Sequence, residues 1–160
     1  MIRPTPMSPV GAPPIVVDAS VGMKWAIKEE NTPHALALLG SGRRLIVPDR
    51  FYSEVANVLW KRTRRAEPSE RITEGEAREG LRDVLSVDLE VVASKYLVDD
   101  SLEIALETGH PTYDCDYLAL AVKEGAEFMT ADAKSFRKLA GDPKYGPLVS
   151  WVDPTGTPPL

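Results

Sequence analysis

One cysteine, Cys115, stands in a chain of 160 residues. That excludes an intrachain disulfide and a zinc cluster built on paired thiolates, and it fits a reducing compartment. Long apolar runs are missing too: none approaches the roughly 18 residues that a membrane helix needs. The opening stretch, MIRPTPMSPVGAPP, has neither an apolar h-region nor a marked basic n-region, so it does not read as a secretory signal. A cytoplasmic protein is expected. Positive charge is in deficit, with 19 Lys and Arg against 24 Asp and Glu for a net charge of −5. A protein that only coats nucleic acid is usually basic. The whole-chain balance therefore speaks against passive coating and leaves open an enzyme whose acids hold metal ions. Histidine is scarce, and His34 and His110 both fall outside the acidic positions discussed below.

What is present is an ordinary globular composition, 43% hydrophobic and 27% charged, at a length that fits one domain. Such a chain buries roughly 70% of its unfolded surface and needs no covalent staples. Residues 1–14 carry five prolines and no apolar period, which predicts a disordered leader. Residues 154–160 read as a flexible tail, leaving 15–153 as the folded domain. Short apolar runs predict strands at IVVD (15–18), LIVP (45–48), LEVV (89–92), EFMT (127–130) and LVSWV (148–152). Between them, helical periods cover 20–30, 33–40, 50–65, 73–85, 97–108, 113–124 and 132–140. Ser20 and Asp49 are candidate N-caps, Gly40 ends the second helix, and Thr73 with Glu76 forms a capping-box pattern. Strands alternating with helices predict an α/β fold with a mainly parallel sheet.

Ligands of such sheets bind beyond the carboxyl ends of the strands. Four acids fall there. Asp18 ends the first strand, Glu54 lies early in the helix after LIVP, Asp114 lies in the first turn of its helix, and Asp132 follows EFMT by one residue. At about 100° per residue, Asp114 shares a stripe with Tyr117, Leu118 and Ala121, so it is expected to point inward. Asp116 is rotated by about 200° and is expected to face solvent. Glu54 sits at the edge of the stripe Val55, Val58 and Leu59. Each acid alone has an ordinary explanation as a cap, a turn residue or a solvated helix acid. Four at one sheet edge repel one another. A divalent cation offsets that repulsion, and hard oxygen ligands suit Mg2+ or Mn2+.

The segments VVDAS (16–20), SEVANVLW (53–60), TYDCDYLALA (112–121) and FMTAD (128–132) resemble, in order and spacing, the four acidic motifs of the PIN-domain nucleases. The likeness is greatest to the VapC-type toxins of toxin–antitoxin pairs, and it covers residues 15–153. The resemblance implies a three-layer α/β/α sandwich around a central parallel sheet. It also implies Mg2+- or Mn2+-dependent endoribonuclease activity, with Asp18, Glu54, Asp114 and Asp132 in the family's acidic positions. By the same likeness, Ser20 and Thr130 match positions where a hydroxyl often stands near the metal. A cognate antitoxin and a homodimer are the implied protein partners. Two features depart from the pattern: the leader is longer than most members carry, and Asp116 stands where a small or apolar residue is usual.

RNA hydrolysis requires an activated water and a stabilised leaving oxygen, which carboxylate-held ions supply. Asp18 is the leading candidate for a direct ligand, completed by Asp114 and Asp132. Glu54 either binds a second ion or orients the attacking water. Two basic sets are candidates for RNA contact. Arg62, Arg64 and Arg65 follow the Glu54 helix, where they also suit a helix C-terminus. Lys134, Arg137 and Lys138 follow Asp132. Among rivals, a haloacid-dehalogenase-type phosphohydrolase would need D-x-D where this chain has Asp18-Ala19-Ser20. A PIN-fold RNA-processing nuclease outside any toxin system shares every motif. A non-catalytic PIN-like module would have lost site acids, and none is missing.

Overall fold

A computed structural model describes residues 11–160; of the expected leader, residues 1–10 lie outside the described residues. Five short strands form one sheet: β1 (Ile15–Val17), β2 (Leu45–Pro48), β3 (Glu90–Val92), β4 (Glu127–Thr130) and β5 (Val149–Trp151). Their order is β3-β2-β1-β4-β5, and every pairing is parallel. Parallel neighbours need crossovers, and helices supply them. These are α1 (Ala19–Ala26), α2 (Thr32–Leu39), α3 (Arg50–Thr63), α4 (Glu74–Leu85), α5 (Val98–Thr108), α6 (Thr112–Glu124) and α7 (Ala133–Ala140).

The strands are apolar because both faces are covered. Side chains alternate across the sheet with period two. Ile15, Val17, Leu45, Val47 and Met129 enter a core under α1 to α4, with Val21, Trp25, Phe51, Val55 and Val84. Val16, Ile46 and Phe128 enter a second core with Leu118, Leu120 and Leu139 from α6 and α7. This is the expected three-layer α/β/α sandwich. The edge strand β3 is largely exposed, consistent with its place at the end of the order.

Several boundaries moved. Asp18 is not the last residue of β1 but the N-cap of α1, and Ser20 lies inside that helix. The first helix stops at Ala26 rather than residue 30, because Ile27 is extended. Asp49 precedes α3 but does not cap it. Its own backbone is already helical, and its carboxylate instead accepts from the amide and hydroxyl of Ser94. The Thr73–Glu76 capping box is complete, with bonds of 3.1 and 2.6 Å.

Helix α1 packs against α4 through Gly80, which is buried. A Cβ at Gly80 would sit 2.8 Å from the carbonyl oxygen of Ala26. Gly80→Ala gains about 1 kcal/mol of helix propensity, but overpacking costs roughly 1–3 kcal/mol, here against backbone that cannot rotate away. Gly80→Ala is therefore expected to lower the thermal midpoint. An unchanged or raised midpoint in a calorimetric scan would show that the α1–α4 contact yields.

Candidate active site

In a parallel sheet of order 3-2-1-4-5, the chain reverses direction of travel between β1 and β4. The crevice beyond the carboxyl ends of those two strands is where such sheets bind ligands. Asp18 leaves β1 at that point, and its backbone N–H donates to Met129 O of β4 at 3.0 Å. A small cleft of about 40 Å³ opens there, lined by Asp18, Glu54, Asp114, Tyr117, His110 and Lys138 among others. It has room for an ion with a few waters, and none for an organic cofactor.

Asp18 is held by two hydroxyls. Ser20 Oγ donates to Asp18 Oδ2 at 2.5 Å, and Thr130 Oγ1 donates to the same oxygen at 2.9 Å. These hydroxyls are themselves oriented by backbone: Ala131 N–H donates to Ser20 Oγ (2.9 Å), and Asp132 N–H to Thr130 Oγ1 (3.1 Å). Ser20 and Thr130 thus stand beside the first acid. Among the described residues no side chain donates to Oδ1 of Asp18. Burial pushes this carboxyl's pKa up, against the pull of the Ser20 and Thr130 bonds, and the nearby Asp132 charge adds to the rise.

The other acids are held apart. Asp132 caps α7, its Oδ1 accepting from the amides of Lys134 (2.9 Å) and Ser135 (3.0 Å), which leaves Oδ2 uncommitted. Glu54 projects from the second turn of α3. Burial raises its pKa, opposed by Arg50, whose Nε donates to Glu54 Oε1 at 2.6 Å.

On α6 the helix-phase expectation is reversed. Asp114 is exposed at the rim of the cleft, and Asp116 is the buried one, 6% exposed. Two causes act together. Helix α6 packs on α5 as well as on β1, β2 and β4, so every residue from Cys115 to Ala121 is buried. A stripe drawn for one buried face does not describe a helix covered on two. The compensating charge also comes from elsewhere. Arg50 Nη1 donates to Asp116 Oδ2 at 3.1 Å, and the Ser101 hydroxyl donates to Oδ1 at 2.6 Å. Asp114 needs no such partner, because in the first turn it stands beyond the sheet edge.

Three residues in or beside the cleft were not anticipated. His110, expected outside the site, lines it; burial first, then the Lys138 charge, lowers its pKa, and its Nδ1 is buried without a partner. The Tyr117 hydroxyl is also buried and unpartnered. Its ring stacks on Phe128 with centroids 5.4 Å apart, and burial followed by the Asp18 and Glu54 charges keeps the phenol protonated. Arg50 lies four residues before Glu54, a spacing legible in the sequence. Of the basic sets, only Lys138 lines the cleft; Lys134 and Arg137 are exposed along α7. Arg62 is paired with Glu29, Arg64 lies 5.8 Å from the Trp60 ring centroid, and Arg65 pairs with Glu70 at 3.3 Å.

Among the described residues, no three His, Cys, Asp or Glu side chains close into a cage around one point. The donor chemistry nevertheless fits a hard divalent ion. Asp18, Glu54 and Asp114 present carboxylates to a cleft of ionic size that the Tyr117 hydroxyl also lines, and Asp132, beyond that lining, keeps Oδ2 free of side-chain donors among the described residues.

Comparison with known proteins agrees with this geometry. Residues 15–142 match the PIN domain family. The chain is 32% identical over 127 residues to Ribonuclease VapC3 of Pyrobaculum aerophilum, covering 78% of this chain and 94% of that protein. Among solved structures it is similar to PAE2754 of Pyrobaculum aerophilum, with a TM-score of 0.60 and 26% identity over 81% of this chain and 83% of that one. A second similar fold is Mycobacterium tuberculosis VapC20, a sarcin–ricin loop cleaving toxin. There the TM-score is 0.55 and the identity 17%, over 76% of this chain and 92% of that one. Strand order, the placement of the acids and a family match across most of the chain lead to one conclusion: the protein belongs to the PIN-domain family, alongside its VapC-type members.

Proposed function

We propose that this protein is a divalent-metal-dependent endoribonuclease that hydrolyses RNA phosphodiester bonds, and that it acts as the toxin of a toxin–antitoxin pair. One observation carries the reading. A half-buried carboxylate, Asp18, stands at the switch point of the sheet, its Oδ2 fixed by the Ser20 and Thr130 hydroxyls while no side chain of the described residues donates to Oδ1. Kinship with Ribonuclease VapC3 supports RNA as the substrate. Asp18, Asp114 and Asp132 would hold Mg2+ or Mn2+, with Glu54 at the far side of the cleft. When bound, such an ion supplies Lewis acidity toward a water and a phosphoryl oxygen. The protein's own residues do the rest. Ser20 and Thr130 lock the Asp18 carboxylate so that it need not reorganise, and Tyr117 offers a protonated hydroxyl to whatever enters the cleft. Lys138, which lines the cleft from α7, would supply a cation for a phosphate.

The partners follow the same reading. A cognate antitoxin and a second copy of the chain are proposed for the apolar surface left uncovered. Val98, Leu102 and Leu106 recur at four-residue spacing on α5 and are all exposed, as is Trp60 on α3. No helix of the described residues is long and apolar enough to cross a membrane, and a cytoplasmic site of action is proposed.

Asp18→Asn is expected to lower RNA cleavage by at least about 100-fold, on the scale of losing a preorganised electrostatic group, with the fold intact. Full cleavage by the purified, Mn2+-supplied variant would sink the assignment.

The same substitution tests the electrostatics without substrate. The native Asp18 pKa lies above the ordinary aspartate value of 3.8. Below 3.8 both the folded and unfolded states are protonated, and the group has no effect. Between 3.8 and the raised native value the unfolded chain loses its proton while the folded chain keeps it, so the fold is progressively destabilised, and above the native value the loss is complete and constant. In EDTA, Asp18→Asn should therefore melt higher than the native protein at neutral pH, with the gap closing as pH falls toward 3.8. A gap that is constant across pH would mean that Asp18 is not ionised against a penalty.

An acidic protein must attract RNA through local cations. Neutralising Lys134, Arg137 and Lys138 in an Asp18→Asn background should weaken RNA binding more than neutralising Arg62, Arg64 and Arg65, whose charges are already engaged. The loss should shrink as salt rises. Filter binding at several salt concentrations reads this directly, and a larger loss from the arginine set would reverse it.

A further inference from the structure

The ion pair formed by half-buried Arg50 and buried Asp116 is not explained by RNA hydrolysis as outlined above. A buried ion pair is weak evidence for stability, since desolvation offsets most of the attraction. Nor does Arg50 help its own helix. It is the first residue of α3, where the macrodipole disfavours a cation. Something other than local stability holds it there, and its contacts show what.

The guanidinium is a fork with two occupied limbs. Nη1 reaches the buried Asp116, and Nε reaches Glu54, a carboxylate lining the cleft. The Tyr113 ring covers its face, 4.8 Å from the guanidinium carbon to the ring centroid. Asp116 cannot swing away, because Ser101 holds its other oxygen at 2.6 Å. The order of dependence is therefore Ser101 to Asp116, Asp116 to Arg50, and Arg50 to Glu54. It joins α5, α6 and α3 and ends at the site. Glu54 accordingly carries a counter-charge supplied by the chain itself. Asp18, Asp114 and Asp132 have no comparable cation bound to them among the described residues.

We propose that Arg50, clamped by Asp116 and Ser101, is a positioning residue that serves as a built-in counter-cation for Glu54, fixing that carboxylate in the cleft and weakening its hold on divalent ions. The inference rests on the metal-dependent reading of the site. The position of Glu54 then does not depend on an ion being present. Lysine does not substitute for the fork, since a single ammonium carries the charge but does not span both carboxylates in this planar geometry.

The test is calorimetric titration of the full chain, stripped of metal, with Mn2+ alone, followed by cleavage kinetics on an RNA that the native protein cuts. In Arg50→Met/Asp116→Asn both charges go together, so no buried carboxylate is left unpaired. That variant should bind Mn2+ about threefold tighter, because the cation lost touches Glu54 whereas the anion lost with it lies beyond the guanidinium and offsets only part of the effect, while kcat falls and KM moves little. Arg50→Lys should keep near-native Mn2+ affinity and still lose kcat, separating charge from geometry. A merely structural role would weaken metal binding and activity together. A folded double variant whose Mn2+ affinity is unchanged or weaker overturns the proposal, as does an Arg50→Lys enzyme with native kcat. Should the double variant not fold, Arg50→Lys decides alone. Asp18→Asn is the control. If it binds Mn2+ as the native protein does, the site reading itself fails. If it loses Mn2+ while the double variant gains nothing, only the role of Arg50 fails.

Discussion

A carboxylate at the end of a buried central strand is costly, and the carboxyl edge of this protein is arranged around that cost. β1 lies in the middle of the sheet with both faces covered, so Asp18 leaves it into a region of little water. The neighbouring strand β4 provides the remedy. Thr130, fully buried at its end, and the Ala131 amide that orients Ser20 both come from that strand or its exit. The Asp18 carboxylate therefore reports on the β1–β4 register, which pairs Val17 with Met129. A slip of one residue would turn Thr130 to the opposite face and remove a donor. Site and sheet are in this sense one structure.

The four acids do not meet as a tight cluster, and the reasons differ for each. Asp132 is engaged by the first amides of α7, Glu54 by a guanidinium and Asp18 by hydroxyls, while Asp114 lies exposed at the rim. Each charge thus has its own local compensation. Mutual repulsion is lowered without closing the cleft, so Asp18 Oδ1 and Asp132 Oδ2 keep lone pairs for a ligand. The orphaned Tyr117 hydroxyl belongs to the same economy of donors. A buried polar group without a partner costs roughly 1–3 kcal/mol, and it persists here beside the acids, where an occupant would satisfy it.

Much of this was legible from residue order. The short apolar runs IVV, LIV and EFMT, the capping box at Thr73 and Glu76, and the spacing of the acids after successive strands are all local signals, and local signals survive folding. They sufficed for a parallel α/β sandwich and for bringing Asp18, Glu54 and Asp114 to one cleft. Failures came where a second element intervened. Asp49 looked like a cap until Ser94, 45 residues later, took its carboxylate. His110 looked remote because nothing in a loop sequence says which way it folds back.

The pair Asp114 and Asp116 separates the two kinds of information most clearly. The sequence by itself determined that the two acids project from α6 about 200° apart, because the pitch of a helix is a property of the backbone. Which of the two is buried was decided only by tertiary structure. Helix pitch says nothing about how many faces will be covered, and α6 is covered on two, by the sheet and by α5. Nor does it say where a counter-charge will arrive. Asp116 is buried because Arg50, 66 residues earlier in the chain, and Ser101, 15 residues earlier, converge on it, and a carboxylate enters a core only where such partners are waiting.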